Sequence, residues 1–350
     1  MTAPTSTPSP SGPSPSPSGP SSGQFTSGDI LADRRYAYAE GCLGDGDAAS
    51  AAEMAEQTLE LAPRYAAAWL LLGRAREALH AKSGREADFQ AALRAYAAAL
   101  DLDPEDALGS RVRLIQLGGG DAAGAMSRAY LRALFDGYAG RFERHLVGSL
   151  AYRGPEMLCA ALDALPGAPP RFEAVLDLGC GTGLMGAALA GRCDQLTGVD
   201  LSPAMLALAG RRRLYQRLVL DDLADFLGAE PEASADLCVA ADVFIYVGDL
   251  APVLATIARV LRPGGLAAFT VQSHDGAGVI LGADARFAHA DAYLDAAAGA
   301  AGLLTAMREP AAIRREGGLD VPGRLVILAR PRAGSSGTHA ARETSETCET

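Results

Sequence analysis

The most constraining feature of this 350-residue chain is the stretch 175–186, which reads VLDLGCGTGLMG. A short apolar run that carries an acid, Asp177, near its end predicts a buried strand. The glycines that follow predict a sharp turn into a helix, because glycine adopts the required dihedrals and lets a ligand approach the backbone. Such a turn presents backbone N–H groups at the carboxyl edge of a sheet. The stretch therefore predicts a site for a nucleotide-like ligand.

The glycine spacing alone leaves two kinds of cofactor site open. Residues 181–186 satisfy the dinucleotide pattern G-x-G-x-x-G, and Asp200 lies close to the expected distance downstream. This alternative predicts an NAD(P)-dependent oxidoreductase with a Rossmann fold. The strand, however, ends on residues 177–179, so that Asp177 lies inside the glycine-rich turn itself. The longer pattern across 177–183, D-x-G-x-G-x-G, favours a different cofactor.

That pattern resembles the first motif of the class I S-adenosylmethionine-dependent methyltransferases. Further segments extend the resemblance across most of 170–330. Residues 195–200 read as a second strand that ends in an acid, 218–223 as the third strand and its loop, and 260–265, VLRPGG, precede the fifth strand. Several motifs in order are more specific than a glycine triplet. The resemblance implies an enzyme, a methyltransferase that uses S-adenosyl-L-methionine.

The resemblance also implies which residues bind the cofactor. The glycine-rich turn is expected around the methionine part, Asp200 on the ribose hydroxyls, and the Asp222 carboxylate with the Leu223 N–H on the adenine. Asp242, directly after the fourth strand, is placed by topology to contact cofactor or substrate. The full set of expected cofactor-binding residues is Tyr138, Asp177, Gly179, Gly181, Gly183, Asp200, Leu201, Asp222, Leu223 and Asp242.

Tyr138 belongs to the segment 134–142, which reads LFDGYAGRF and precedes the first strand. It resembles segments at the same place in many small-molecule methyltransferases, where aromatic residues cover the cofactor as a lid. The resemblance implies that Tyr138 contacts the methionine end. The same residues also fit an amphipathic helix that packs Phe135, Tyr138 and Phe142 on the core at i, i+3 and i+7. The two interpretations are compatible.

The order of the elements predicts an α/β fold with a Rossmann-like sheet of seven strands. Apolar runs alternate with helical segments, which is typical of a parallel sheet, and a further helix is expected near 289–301. The resemblance implies that the last strand runs antiparallel to the others. The later strand signals lie at 236–241, 266–272, 303–307 and 325–329.

An alanine-rich helical pattern occupies residues 30–118 and repeats. The segments 69–73 and 92–96, followed by Pro104, have the tetratricopeptide order W-x-x-L-G, A-x-x-x-F, P. About seven residues beyond the repeat length of roughly 34 predict a longer loop near 81–87. Two such repeats and a capping helix near 107–117 predict an all-α tetratricopeptide-like domain that docks on the catalytic domain or on a protein partner. An arbitrary alanine-rich bundle is the alternative.

Composition marks the ends of these units. Residues 1–23 consist almost wholly of Ser, Pro, Thr and Gly without charge, so they cannot pack a core, and the three glycines 118–120 indicate a linker. We expect a disordered Ser/Pro-rich leader at 1–28, the tetratricopeptide-like domain at 29–120, linker and cofactor-lid helices at 121–170, the S-adenosylmethionine-binding methyltransferase domain at 171–331 and a disordered tail at 332–350.

Charge, cysteines and hydropathy exclude several classes of protein. The formal net charge of −11 argues against a binder of nucleic acid backbones. The six cysteines contain no C-x-x-C pair, which indicates neither a disulfide scaffold nor a metal site. No apolar run reaches the roughly 18 residues that span a bilayer. We therefore expect a soluble, cytoplasmic protein that binds neither nucleic acid nor membrane.

Methyl transfer from a sulfonium depends mainly on alignment and on the exclusion of water. A hydroxyl or protonated amine acceptor would also need a base, and His274, just after the fifth strand, or His289, before the next helix, are the expected catalytic residues in that case. No Asn-Pro-Pro-Tyr-like stretch follows the fourth strand, which argues against methylation of a nucleobase amine or a glutamine amide.

The acceptor itself stays open at this point. We expect a small-molecule, carrier-bound or protein acceptor, with the helical domain as a surface for a protein partner. Two alternatives remain beside the methyltransferase. One is the NAD(P)-dependent oxidoreductase, and the other is a non-catalytic scaffold that binds the cofactor without turnover.

Overall fold

An all-helical region precedes a mixed sheet in the computed structural model, which describes residues 26–120, 122–141, 152–316 and 319–332. Aspartates cap the first two helices, since Asp29 and Asp47 accept hydrogen bonds from backbone N–H groups of the first turn. The helices of this region are α1 (Ile30–Gly44), α2 (Ala48–Leu61), α3 (Ala66–Ser83), α4 (Glu86–Leu102) and α5 (Ser110–Gln116).

Small residues let these helices pack closely. A Cβ atom added at Gly73 of α3 would lie 2.5 Å from the ring of Tyr96, which is fully buried on α4. Gly73 and Tyr96 are conspicuous positions of the predicted repeat, and their contact is what a helical repeat requires. The tetratricopeptide assignment stays a prediction.

The predicted long loop near 81–87 is wrong. Helix α3 continues to Ser83 and α4 begins at Glu86, so only Gly84 and Arg85 connect them. Gly84 ends α3 in the left-handed conformation, with φ of 68°. The residues in excess of the repeat length extend the two helices, because alanine-rich sequence favours helix up to the glycine.

Two helices join the helical region to the sheet. Helix α6 (Arg128–Tyr138) is capped by Ser127 and followed by a 3₁₀ turn at Ala139–Arg141, and α7 (Gly154–Ala164) precedes the first strand. Phe142, the last aromatic residue of the predicted lid pattern, lies outside the described residues.

The sheet has the predicted α/β arrangement, with parallel strands and an antiparallel final strand. Strand β1 is parallel to β2 and β4, and the last strand runs antiparallel to β5. The seven strands of the main sheet, in spatial order, are β3 (Arg217–Leu220), β2 (Cys193–Asp200), β1 (Phe172–Leu178), β4 (Ala235–Ala240), β5 (Leu261–Ser273), β9 (Leu319–Ala329) and β8 (Leu304–Glu316).

Two short strands that were not predicted bring the described total to nine. Strands β6 (Val279–Leu281) and β7 (Phe287–His289) form an antiparallel hairpin, and β7 pairs with the end of β5 at Gln272 and Ser273. Three-residue strands leave too few alternations for a pattern to show in the sequence. Strand β5 also begins earlier than expected, at Leu261 instead of Leu266, because Gly264, with φ of 87°, forms an irregularity within the strand.

Helices cover both faces of the sheet. On one face lie α10 (Leu223–Ala229), α11 (Ala251–Val260) and α12 (Asp291–Ala300), and on the other α7 and α8 (Leu184–Ala188). Helix α9 (Pro203–Arg211) follows β2. Within the described ranges, no helix combines the length and the apolar character needed to cross a membrane.

Candidate active site

One cavity lies where the carboxyl ends of β1, β2, β3 and β4 meet helix α6. The structure brings nine of the ten expected cofactor-binding residues to its lining, and Gly183 does not belong to it. The nine are Tyr138, Asp177, Gly179, Gly181, Asp200, Leu201, Asp222, Leu223 and Asp242. Their roles toward a cofactor stay predictions.

The turn after β1 needs its glycines. Gly179, Gly181 and Gly183 all have positive φ, of 66°, 51° and 85°. A Cβ atom at Gly179 would lie 2.6 Å from a methyl group of Val243, which follows β4. Gly183 precedes α8, which is only five residues long. The glycines therefore let the end of β1 approach the loop after β4.

Two buried polar atoms of this turn have no hydrogen-bond partner among the described residues. They are Oδ1 of Asp177 and Oγ1 of Thr182, and both residues line the cavity. The second carboxylate oxygen of Asp177 accepts a hydrogen bond from the Tyr215 hydroxyl at 2.6 Å. Burial raises the pKa of Asp177 to about 7, and the hydrogen bond from Tyr215 opposes that rise. Buried polar atoms without partners are rare and suit a ligand that brings donors.

Tyr215 was not singled out from the sequence. Its hydroxyl also accepts a hydrogen bond from the backbone N–H of Gly186 at 3.2 Å. A Cβ atom at Gly186 or at Gly198 would lie 2.5 or 2.8 Å from atoms of this tyrosine. The Tyr215 ring therefore packs directly on the backbones of α8 and β2, and its hydroxyl positions the Asp177 carboxylate. The two glycines are visible in the sequence, but nothing in it links them to Tyr215.

The Asp200 carboxylate is fixed by backbone hydrogen bonds at the end of β2. Its oxygens accept from the N–H groups of Gly181 at 2.8 Å and Ser202 at 2.9 Å. Burial raises the pKa of Asp200, and these two N–H groups oppose the rise. Each oxygen keeps acceptor capacity, because an ionised carboxylate offers about four lone-pair sites.

Ser202 joins the end of β2 to helix α6. Its hydroxyl oxygen caps α9 by accepting from the Met205 N–H at 3.1 Å. The same hydroxyl donates to Oδ1 of Asp136 on α6 at 2.5 Å. Asp136 was not among the predicted residues, although it lies inside the lid segment.

Both oxygens of the predicted adenine-binding carboxylate, Asp222, are already engaged. Oδ1 accepts from the N–H of Ala224 at 2.8 Å and caps α10, and Oδ2 lies 3.1 Å from Nε of Arg128 on α6. Asp221, which the sequence assignment passed over, also lines the cavity, and its Oδ1 accepts from the Asp222 N–H at 2.8 Å. Asp221 is therefore a second acid available to a ligand beside β3.

Helix α6 combines the two interpretations of the aromatic segment. Leu131, Phe135 and Tyr138 line the cavity, and the ring of Phe135 meets that of Tyr246 edge to face, with centroids 5.3 Å apart. Tyr246 belongs to a 3₁₀ turn after β4. The helix therefore covers the cavity and packs on its wall at once.

Asp242 is held in a strained backbone conformation at the cavity. Its φ is 61°, unusual for a residue with a side chain, and its N–H donates to the hydroxyl of the buried Thr270 at 2.8 Å. Its Oδ1 accepts from Nη1 of Arg314 at 2.8 Å, and Nη2 of that arginine donates to Gln272 at 2.8 Å. The Arg314 side chain is only 3% exposed. No local pattern of the sequence indicated this arginine on β8.

Neither predicted catalytic histidine lines the cavity. His289 is fully buried, and its Nε2 lies 3.0 Å from the Val247 carbonyl oxygen and 3.2 Å from that of Gly248. Burial lowers the pKa of His289 to about 4. Nδ1 of His274 accepts from the Gly276 N–H at 3.1 Å within its own loop. Both rings contact backbone groups away from the cavity lining, and the catalytic role of either histidine stays a prediction.

The described residues also resemble known proteins. Residues 176–269 match the family model described as a methyltransferase domain. Over 98 residues, or 28% of its length, the chain is 36% identical to malonyl-[acyl-carrier protein] O-methyltransferase of Serratia marcescens. The match covers 38% of that protein. Over 139 residues, 37% of the chain, it is 40% identical to methyltransferase-like protein 27 of Homo sapiens, of which it covers 52%. The chain thus spans about half the length, or less, of these curated relatives.

A solved structure with a similar arrangement is the 1,6-didemethyltoxoflavin-N1-methyltransferase of Burkholderia thailandensis, with 20% identity and a TM-score of 0.47. The match covers 61% of this chain and 93% of that one.

The matched family residues run from within β1 into β5 and include Asp177, Asp200 and Asp242, which share the cavity. The sheet around them has the parallel order and the antiparallel final strand that the motifs of the sequence implied. Residues 176–269 of this chain are therefore similar in sequence to a methyltransferase domain.

Proposed function

We propose that the whole protein is a methyltransferase that binds S-adenosyl-L-methionine in this cavity and methylates an acceptor held against the same cavity. The observation that carries the proposal is a pair of buried polar atoms, Asp177 Oδ1 and Thr182 Oγ1, on the glycine-rich turn of the matched domain, for which no described residue is a hydrogen-bond partner. A buried carboxylate oxygen without a partner is costly unless a ligand supplies one.

The residues present fit this cofactor group by group. Asp177 would hold the ammonium group of the cofactor. Its Oδ1 is a buried acceptor beside the glycine-rich turn, without a partner among the described residues. Asp200 would accept from the ribose hydroxyls, because its two oxygens are oriented by backbone N–H groups. Asp221 or Asp222, with Leu223, would contact the adenine. Tyr138 contributes an aromatic surface from α6.

When bound, S-adenosylmethionine supplies an electrophilic methyl group on a sulfonium. The chain contributes alignment and the exclusion of water, which are the main sources of rate in an in-line displacement. Two contacts hold helix α6 over the cavity. They are the hydrogen bond from Ser202 to Asp136 and the ion pair of Arg128 with Asp222. Asp242, oriented by Arg314, is available to direct the acceptor.

We further propose an oxygen acceptor, on a small molecule or on a carrier. Two of the relatives have names that point this way, namely the malonyl-[acyl-carrier protein] O-methyltransferase and the ubiquinone biosynthesis O-methyltransferase of Idiomarina loihiensis. The units 29–120, 121–170 and 171–331 remain our proposed division of the chain, with the tetratricopeptide-like unit as the surface for a protein partner.

Calorimetry with S-adenosylmethionine, its demethylated product and NAD tests the proposal. We expect the first two to bind and NAD to bind far more weakly. Asp177→Asn should weaken binding, whereas the matched variant Asp194→Asn, at the opposite end of β2 and paired with Arg171, should not. Binding of NAD without binding of S-adenosylmethionine at millimolar concentration would overturn the proposal in favour of an oxidoreductase.

A further inference from the structure

Tyr215 lies behind the glycine-rich turn, in the connection between α9 and β3. It is not among the described residues that line the cavity. Its hydroxyl nevertheless lies 2.6 Å from Oδ2 of Asp177, which does line the cavity. Tyr215 can therefore act on a ligand in the cavity only through the groups of the turn that it contacts.

The Tyr215 ring is held in a slot between backbone segments. The slot depends on Gly186 and Gly198, where a Cβ atom would lie 2.5 or 2.8 Å from atoms of the tyrosine. The next residue, Gln216, fixes the chain at this point. Its N–H donates to the carbonyl oxygen of Leu196 on β2 at 3.0 Å, and its side-chain oxygen accepts from the Leu196 N–H at 2.6 Å. The position of the Tyr215 hydroxyl is thus fixed by both the ring and the backbone.

The two hydrogen bonds of this hydroxyl also fix the direction of its proton. The backbone N–H of Gly186 can only donate, so the Tyr215 oxygen is the acceptor in that contact, at 3.2 Å. A hydroxyl has one proton to donate, and here it is directed at Oδ2 of Asp177. The Asp177 carboxylate is therefore held at one oxygen, and Oδ1 is the oxygen that it presents to a ligand in the cavity.

A donor at Oδ2 favours the ionised form of Asp177. Burial raises the pKa of Asp177 to about 7, the hydrogen bond from Tyr215 opposes the rise, and the nearby carboxylate of Asp200 adds to it. The other titratable side chains that interact electrostatically with Asp177 are Tyr152, Cys180 and Cys193. Burial raises the pKa of all three, so they stay uncharged at neutral pH. The contact with Tyr215 therefore promotes a negative charge on Asp177.

We propose that Tyr215 is a positioning residue that sets the ligand specificity of the cavity through Asp177. It holds the carboxylate so that the cavity favours ligands whose amino acid part carries an ammonium group over nucleosides that lack this part. The inference rests on the proposed function, in which Asp177 binds the ammonium group of the cofactor. Tyr215 itself does not contact the ligand and takes no part in methyl transfer.

The first test compares two ligands by calorimetry with the full chain. S-adenosylhomocysteine carries the amino acid part, whereas 5′-methylthioadenosine has the same nucleoside and a thioether without it. Tyr215→Phe should weaken the binding of S-adenosylhomocysteine by about 10-fold, the lower end for a hydrogen bond to a charged group, and leave that of 5′-methylthioadenosine unchanged. An equal loss for both ligands, or no loss, overturns the inference. Failure of the wild-type chain to bind S-adenosylhomocysteine overturns the proposed function.

Tyr293→Phe is the matched control. The Tyr293 hydroxyl on α12 also donates to an aspartate, Asp249, at 2.8 Å, and it also accepts from a backbone N–H, that of Leu250, at 2.6 Å. Tyr293 is not among the described residues of the cavity lining. The control variant thus removes the same pair of hydrogen bonds elsewhere in the domain, and both affinities should stay unchanged.

Asp177→Asn tests whether the effect passes through this carboxylate. The variant keeps the size of the side chain and removes its charge, so the preference for S-adenosylhomocysteine over 5′-methylthioadenosine should fall by about 10-fold or more. Tyr215→Phe should cause no further loss in this background, because two residues that act through one contact are not additive. A full preference in Asp177→Asn, or losses that add in the double variant, overturns the inference.

The pH dependence of binding distinguishes this role from a purely structural one. The affinity for S-adenosylhomocysteine should rise with pH as Asp177 ionises. In Tyr215→Phe the rise should lie at higher pH, because loss of the donor destabilises the ionised carboxylate. The affinity for 5′-methylthioadenosine should show no such shift. An unshifted rise for S-adenosylhomocysteine in a Tyr215→Phe chain that circular dichroism shows to be folded overturns the inference.

Discussion

The two walls of the cavity are built in different ways. The glycine-rich wall comes from residues 177–182, 199–201 and 221–223, which lie at the carboxyl ends of three neighbouring parallel strands. The composite wall comes from 131–138, 152–155, 241–247 and Arg286, which belong to separate parts of the chain. The comparison shows that the glycine-rich wall is encoded over short separations in the sequence, whereas the composite wall depends on contacts between distant segments.

The hydrogen bonds of the two walls differ accordingly in sequence separation. On the glycine-rich wall, Gly181 and Asp200 are 19 residues apart, and Asp177 and Tyr215 are 38 apart. On the composite wall, Asp242 and Arg314 are 72 apart. In the hairpin that carries Arg286, Gly282 lies 166 residues from its hydrogen-bond partner Gln116. Apart from the contacts of α6 with Asp222 and Ser202, changes distant in sequence should therefore act mainly on the composite wall.

The largest effect is expected from Arg314→Met. It leaves the Asp242 carboxylate beside a cavity without its buried partner, and breaking a buried ion pair costs about 3–5 kcal/mol. Urea unfolding measures the loss. The neighbouring exposed pair of Arg315 with Asp320 provides the control Arg315→Met, for which we expect less than about 1 kcal/mol. Equal losses in both variants would mean that the composite wall does not depend on the buried pair.

Next in size is the effect of Asp200→Ala on the glycine-rich wall. Loss of the carboxylate should weaken S-adenosylmethionine binding by about 1.5–3 kcal/mol, the range for hydrogen bonds to a charged group, and leave the chain folded. Calorimetry measures the affinity and circular dichroism the fold, with Asp194→Ala on the same strand as the control. Normal binding would remove Asp200 from the site, and unfolding would make its role structural.

A smaller effect concerns the proton on Asp177. Burial raises its pKa from 3.8 to about 7, so the folded state holds this proton more tightly, and its contribution to stability declines as pH rises from 3.8 to about 7. A bound ammonium group favours the ionised form. Cofactor binding at about pH 6 should therefore release roughly one proton. Calorimetry in buffers of different ionisation enthalpy measures it. Release of the same size in Asp177→Asn would assign the proton to another group.

The smallest effect on cofactor affinity is expected from removal of residues 1–126. A chain that begins at Ser127 keeps α6, whose Arg128 and Asp136 contact the glycine-rich wall. It loses the contacts of α5 with the β6–β7 hairpin. We expect unchanged S-adenosylmethionine binding by calorimetry and lower activity on an acceptor. Loss of S-adenosylmethionine binding in the folded, shortened chain would show that the glycine-rich wall also depends on the helices before Ser127.

The contrast between the walls also explains what the sequence could predict. The turn at 177–183, the acid at Asp200 and the Ser202 cap all follow from patterns within a few residues, and the structure brings them together. The contacts of Tyr215 and Arg314 depend on where distant elements meet. A lone tyrosine or arginine has no spacing that would reveal such a partner. The sequence also could not show that His289 is buried beside the Val247 carbonyl, and its catalytic role stays a prediction.

The anchoring of the β6–β7 hairpin on α5 has a consequence for how this chain can be recombined. Phe287 and Gln116 contribute to one joint between segments that are far apart in sequence. If the helical region were exchanged for that of a relative, the hairpin would meet a foreign surface and Arg286 would lose its support. A functional chimera should therefore transplant α5 and residues 279–289 together, although two separate segments of the gene encode them.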